Sequence, residues 1–579
     1  ATPAAIQALA RAIGYFNISQ QMTDADRTLT WTLTDGDGGT AAATATIDVA
    51  ADNDPAVAQD DAFFIDENVA ILSGNLFSHN GNGEDLDAEG DAFAVTAVNG
   101  QAVAVGQQIT LASGALLTVR ADGTFDYDPN GQFDHLSQSG SGAANSQAMD
   151  SFTYTITGGD TATVTITING VASPGDRFEG DGGDNIITGT SGPDFFSVEQ
   201  GGSDDVSGLA GNDFFYFGGA MDNGDEVDGG PDRDQLALQG NYAGLTFNVG
   251  VVNLESLAIL PGNDTRFGDP GTNFYDYNLT TVDENVGAGQ QLIVDAVRLR
   301  PGEDFTFNGA AESDGGFLIY GGNGVDTLTG GAQKDGFVFG INGRFGASDV
   351  VNGGGGADQL VLRGDYTITF GAGQLVSVES IALISALDPR FGTSGDGEFD
   401  YSLTMNDGNV AAGQLLTVDG AVLSVAESLT FNGAAEDDGS FRVFGGAGND
   451  VIGGSQNADI IVGRGGFDTM TGNGGNDVFR FTAASDSTSP TPDKVMDFSA
   501  GDLIDLSRID ADTTIAGDQA FSFIGNAAFG NNAGELRYQS NGGTEWLVQG
   551  DIDGDGDADF EMILNIPIPD PITAGDFIL

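Results

Sequence analysis

The chain has 579 residues, with 18 Lys and Arg against 86 Asp and Glu and a formal net charge of −68. Such a charge repels nucleic-acid phosphate and anionic lipid, which excludes both as direct partners. Yet 40% of residues are hydrophobic and 38 are Phe, too apolar for a solvated acidic tail. A core must therefore form despite strong self-repulsion, and counter-cations are the natural remedy.

Ala1 to Ala10 lacks the charged n-region and apolar h-region of a signal peptide. Residues 1–54 are expected to be the C-terminal part of an Ig/cadherin-like sandwich. Thr28–Thr34 and Ala41–Val49 alternate apolar and polar residues around Asp35-Gly-Asp-Gly-Gly39. So few strands cannot close a sandwich core. The segment is read as a fragment of a longer domain or as one completed by another chain.

Residues 55–174 carry a fuller set of strand signals: Phe93–Val98, Leu116–Val119, Thr124–Tyr127, Ser151–Thr157 and Ala162–Ile168. The run Ala121–Gly131 followed by Asp150–Ile168 resembles the cadherin-like repeat domains of large bacterial surface proteins. Asp52, Asp54, Glu67, Asp85 and Asp87 then correspond to inter-module calcium ligands, with solvated acidic loops as the plainer alternative.

From residue 175 glycine dominates, and a nonapeptide recurs. Its clearest run is Gly445 to Arg480, four gapless copies with Asp450, Asp459, Asp468 and Asp477 at the sixth position. Ile452, Ile461, Met470 and Phe479 stand at the eighth. Early glycines allow tight turns that expose carbonyls, the Asp adds a carboxylate, and the eighth residue begins a short strand with its side chain inward. Other blocks span about 180–237 and 321–361, adding Asp194, Asp204, Asp213, Asp234, Asp326, Asp335 and Asp358. Asn185 replaces Asp in one copy, and the copy around Asp204 lacks its leading glycines. Residues 229–330 match 353–454 at a constant spacing of 124, the signature of a duplicated solenoid unit. The intervening segments 238–320 and 362–444 read as further solenoid rungs without the calcium turn, or else as separate globular inserts. The solenoid is divided at 175–361 and 362–480.

Residues 481–579 form a last module. Asp493–Asp512 resembles the segment that follows the repeats in serralysin-type exoproteins, and Ala533–Tyr538 and Asp553–Leu564 fit the same module. Asp551, Asp553 and Asp555 open like an EF-hand loop, but its twelfth position is Met562 rather than Glu. The nonapeptides resemble those of the repeats-in-toxin (RTX) family. That resemblance implies type I secretion, with the C-terminal Gly-Asp-Phe-Ile-Leu579 as uncleaved export address, and folding on calcium outside the cell.

The expected fold is all-β: tandem Ig/cadherin-like sandwich modules, a parallel β-solenoid and a small C-terminal β module. Calcium, in multiple copies, suits the aspartates because every donor is a hard oxygen. The chain has two His and no Cys. It contains no H-E-x-x-H and no G-x-S-x-G, so catalysis is not expected. No apolar run is long enough to cross a membrane. The expected protein is a secreted, non-enzymatic structural component of a bacterial surface, as S-layer, extracellular filament or biofilm adhesin. Its expected partners are the type I secretion machinery, other copies of itself and cell-surface polysaccharide. The alternative is the calcium-binding export region of a large secreted hydrolase.

Overall fold

The computed structural model describes residues 2–16, 25–50, 53–88, 90–173, 175–341, 344–391, 397–566 and 571–579. The chain is 38% strand and 5% helix, and it divides into two compact units, Ala1–Arg177 and Phe178–Leu579.

The first unit opens with a helix absent from the strand pattern, Pro3–Ala12. Thr2 caps it by accepting the Ala5 N–H, proline occupies the first turn, and no residue of the helix is buried. An antiparallel ribbon follows, Arg27–Thr34 against Thr40–Ile47. Its loop closes on Asp35 Oδ1, which accepts the N–H groups of Asp37 at 3.0 Å and Gly39 at 2.9 Å.

The sandwich has two four-stranded sheets. One orders Asp61–Asp66, Thr161–Asn169, Gln147–Ile156 and Val95–Val98; the other orders Ile71–Asn75, Thr124–Asp128, Leu116–Val119 and Gln108–Thr110. Alternate residues of Thr161–Asn169 point inward, as the two-residue period of a strand requires. Leu117, Phe125, Tyr127, Phe152, Tyr154, Val164 and Ile166 meet in one apolar core.

The second unit is a solenoid. One face is a continuous sheet of 16 strands from Arg177–Glu179 to Phe577–Ile578, and sheets of 4, 6 and 10 strands succeed one another on the rest of the coil. The nonapeptide explains the alternation. Val451–Gly453 pairs in parallel with Thr469–Thr471, whereas Ile460–Val462 pairs with Val478–Arg480. Successive nonapeptides therefore lie on opposite faces, and two of them complete one rung. Ile452, Ile461, Met470 and Phe479 are all buried between the faces. In the first rungs Phe178, Phe196 and Phe215 stack ring on ring at centroid distances of 4.9 and 4.7 Å.

Segments 238–320 and 362–444 are rungs of the same coil. Ser256–Ile259, Gln291–Asp295 and Gly316–Tyr320 continue the long sheet, as do Ser380–Ile384, Leu415–Asp419 and Ser440–Phe444. Equivalent side chains repeat equivalent bonds: Tyr277 Oη donates to Leu260 O at 2.6 Å, and Tyr401 Oη to Ile384 O at 2.7 Å.

The last module shares both faces with the solenoid. Asp493–Val495 and Leu503–Asp505 add rungs, and Phe560–Asn565 pairs with Asp493–Val495. The antiparallel strands Glu535–Gly542 and Glu545–Asp551 extend that sheet, and the tail strand Phe577–Ile578 ends the other. An open solenoid end presents unpaired strand edges, and this segment covers them.

Candidate calcium sites

Each repeat aspartate joins two turns. Asp450 Oδ2 accepts the Gly446 N–H of its own turn at 2.7 Å, while Oδ1 accepts the Leu429 N–H of the neighbouring rung at 2.7 Å. Its own N–H passes on to Asp468 Oδ1 at 2.8 Å, and that of Asp468 to Asp493 Oδ1 at 2.9 Å. A second ladder links Phe441 N, Asp459, Asp477 and Asp502 in the same way, at 2.6, 2.9 and 3.0 Å.

The earlier blocks repeat the arrangement. Asp194 N–H donates to Asp213 Oδ1, Asp213 to Asp234 and Asp234 to Glu255 Oε2, each at 2.8 Å. Asn185 donates to Asp204, and Asp204 to Asp225. In the middle block Asp335 leads to Asp358 and Asp358 to Glu379, while Asp326 leads to Asp349. All eleven nonapeptide aspartates singled out in the sequence thus stand in ladders. Asp225, Glu255, Asp349, Glu379, Asp493 and Asp502 are ladder members that sequence reading passed over. Glu255 and Glu379 left a trace, because they occupy matching positions of the duplication.

The ladders run through the protein interior. Burial, reinforced for Asp468 and Asp477 by the carboxylates beside them, pushes Asp450 and Asp459 up to about 6, Asp468 and Asp477 to about 7 and Asp493 to about 9. Backbone N–H donors only partly offset this. Oδ2 of Asp213, Asp234, Asp358, Asp468 and Asp493 is buried without a hydrogen-bond partner, a state that costs free energy unless a positive charge joins it.

The leading glycine shows what surrounds those oxygens. A Cβ on Gly445 would collide with Asp450 Oδ2 and Gly463 O. On Gly454 it would meet Asp459 Oδ2 and Gly472 O, on Gly208 Asp213 Oδ2 and Gly229 O, and on Gly330 Asp335 Oδ2 and Gly353 O. A carboxylate oxygen and a carbonyl from the adjoining rung therefore converge over each of these four leading glycines. In the copies that start at Gly463 and Gly472 the fourth residue has a separate need for glycine, shown by φ of 119° at Gly466 and 112° at Gly475. The donors are all hard oxygens, carboxylate and carbonyl, and several lack a hydrogen-bond donor, so the residues fit Ca2+. Calcium bound there would supply the missing positive charge and tie adjacent rungs together.

The other acidic candidates are placed differently. Asp52 lies outside the described residues, and Asp54 is exposed. Glu67 Oε1 accepts the Val171 N–H at 3.1 Å. Asp85 instead accepts the Gln59 N–H at 2.7 Å and the Tyr154 hydroxyl at 2.8 Å. Asp85 lies beside Asp61, at the start of strand Asp61–Asp66, and Glu67 follows its end. The two are separated by roughly 20 Å at 3.3 Å per strand residue, so the structure does not bring Glu67 together with Asp85. Asp87 Oδ1 accepts the Asp91 N–H at 2.9 Å, closing its own loop. In the C-terminal hairpin, Asp551 and Asp553 are grouped with Asp559, their ligand oxygens within 4.8 Å. Asp555 instead accepts the Asp557 N–H of its own turn, and the loop joins two strands rather than two helices.

The model of the peptidase M10 serralysin C-terminal domain matches residues 287–579, half of the chain. The chain belongs to that family. It is an RTX-type protein, and its serralysin-type domain is of a calcium-binding, type I-secreted, extracellular kind. A bacterial cadherin-like domain model matches residues 53–170, the part that carries the sandwich. No curated protein matches the chain. The serralysin match begins after the first nonapeptide block, although Asp194, Asp213 and Asp234 form the same ladder there. Among the described residues no helix is long and apolar enough to cross a membrane.

Proposed function

We propose that this is a non-enzymatic structural protein of the bacterial surface, folded by multiple calcium ions after type I export. The observation that carries the reading is the set of carboxylate ladders, two in each nonapeptide block, running inside a long solenoid. Without cations, like charges held in the interior oppose the fold. In the cytosol, where calcium is scarce, the chain of net charge −68 stays extended and exportable. Outside, binding and folding proceed together.

The solenoid then serves as a rod and the sandwich as a spacer or adhesive module. Partners are the secretion machinery, further copies of this chain in a layer, filament or biofilm matrix, and surface polysaccharide. Neither nucleic acid nor membrane insertion enters the scheme. The test is far-UV circular dichroism with light scattering as calcium is added to chelated protein. Strand content and particle size should both rise; if neither changes, the reading is wrong.

A second reading has its own support, the match to a domain named for M10 peptidases. In it the chain is the calcium-binding and export region of a large secreted hydrolase. An H-E-x-x-H or a hydrolase elbow encoded directly upstream of Ala1 would favour it, and further sandwich modules there would favour the structural protein.

A further inference from the structure

Outside the nonapeptide blocks, the duplicated rungs gather a different set of carboxylates. Asp283, Glu312 and Asp314 each offer an oxygen, and the three oxygens lie within 4.8 Å of one another. Asp407, Glu436 and Asp438 do the same, and they are the counterparts of the first set across the duplication. No nonapeptide aspartate belongs to either set.

The backbone explains the gathering. Asp283 stands in the 3-10 turn Asp283–Asn285, and Glu312 and Asp314 lie between strands Phe305–Asn308 and Gly316–Tyr320. That loop folds around its glutamate: Glu312 Oε1 accepts the Gly315 N–H at 2.7 Å and the Asp314 N–H at 3.1 Å. Glu436 Oε1 accepts those of Gly439 and Asp438 at 2.7 and 3.2 Å. Asp283 reaches across by accepting the Ser313 N–H at 2.7 Å, and Asp407 by accepting that of Asp437 at 3.1 Å.

This leaves one oxygen of each glutamate unused. Glu312 and Glu436 are 1% and 0% exposed, and Oε2 of each is buried with no hydrogen-bond partner. The flanking aspartates are exposed, so an ion has a route in. Three carboxylates this close repel one another, and the two buried oxygens lack any donor. A hard divalent cation answers both problems at once.

We propose that the triads Asp283–Glu312–Asp314 and Asp407–Glu436–Asp438 are a second class of calcium site, one in each duplicated unit, clamping each glutamate loop to the 3-10 turn that faces it, Asp283–Asn285 or Asp407–Asn409. The proposal does not require the nonapeptides to bind.

The experiment counts calcium bound per chain on the full-length protein, by metal analysis after equilibrium dialysis, with circular dichroism as the check on folding. The double variant E312Q/E436Q keeps the Oε1 acceptors and should lose about two ions per chain, and each single variant about one. A folded double variant that keeps the wild-type count overturns the proposal. Should the buried glutamine variants fail to fold, the exposed pair D283N/D407N decides: a lowered count or weakened affinity supports the sites, and an unchanged titration overturns them. Wild-type protein that binds no calcium at all would sink the preceding functional reading as well. Wild-type binding with an unchanged double variant sinks the triads alone.

Discussion

The sandwich and the solenoid bury their interiors by opposite chemistry. In the sandwich the core is one apolar cluster, with Phe125, Tyr127, Phe152 and Ile166 packed between two sheets, and its few buried carboxylates, such as Asp85 and Asp150, accept tyrosine hydroxyls. The solenoid also stacks apolar residues, such as Ile452 and Phe479, but flanks them with interior carboxylates at nearly every turn. The first region closes mainly by hydrophobic burial. In the second, nonapeptide strands such as Val451–Gly453 and Thr469–Thr471 bury a single side chain each, and the ladders place like charges beside it. On the proposed reading, the same chain holds a module that folds without ions and one that needs them.

Chelation should separate the two regions most sharply. Limited proteolysis with mass spectrometry is expected to leave a resistant fragment near residues 53–170 and to digest 178–579, while added calcium protects both. Equal resistance of the two regions in chelator would break the comparison.

Core substitutions sharpen it. Phe125→Ala and Phe479→Ala each remove a fully buried ring and should cost about 3–5 kcal/mol in saturating calcium, read from denaturant unfolding. In chelator only Phe125→Ala should still register, because the rungs around Phe479 are then already loosened.

The two regions should also respond differently to pH. In metal-free protein the ladder carboxylates hold protons at pH values where the unfolded chain has released them, since burial raises them from 3.8 to between about 6 and about 9. Residual solenoid stability should therefore fall as pH rises from about 4 through those values, then level off. Thermal unfolding in chelator at about pH 5 and about pH 8 reads this directly. Rising solenoid stability over that range would contradict the ladder electrostatics.

The smallest effect concerns the sandwich. Asp61 is a strongly raised carboxyl there, pushed to about 7 by burial and then by the charge of Asp85. Its folded form resists ionisation, so it lowers stability as pH rises from 3.8 toward 7. Asp61→Asn is expected to raise the sandwich melting temperature at about pH 8 and leave it nearly unchanged at about pH 4.

Much of the solenoid was legible because its code is local. Asp at the sixth position and an apolar residue at the eighth recur within nine residues, and the 124-residue duplication exposes the rungs between blocks. Asp493 and Asp502 escaped because each lies 25 residues from its ladder partner, against 18 within the last block. Helix Pro3–Ala12 buries no residue and so belongs to no core pattern, and Asp559 stands at the ninth position of the EF-hand register rather than at the fifth, which Asp555 fills.

By itself the sequence determined the class of structure and its chemistry. A nine-residue turn period with one inward apolar residue admits a two-faced coil, and Gly–Asp turns without His or Cys admit a hard cation. Only the tertiary structure decided which carboxylates share a ladder. Partners lie 18, 19, 21, 23 or 25 residues apart, because loop length between rungs varies freely while the spacing between paired strands does not. The same stacking brought Asp283 to Glu312 and Asp407 to Glu436, a meeting that no local motif announces.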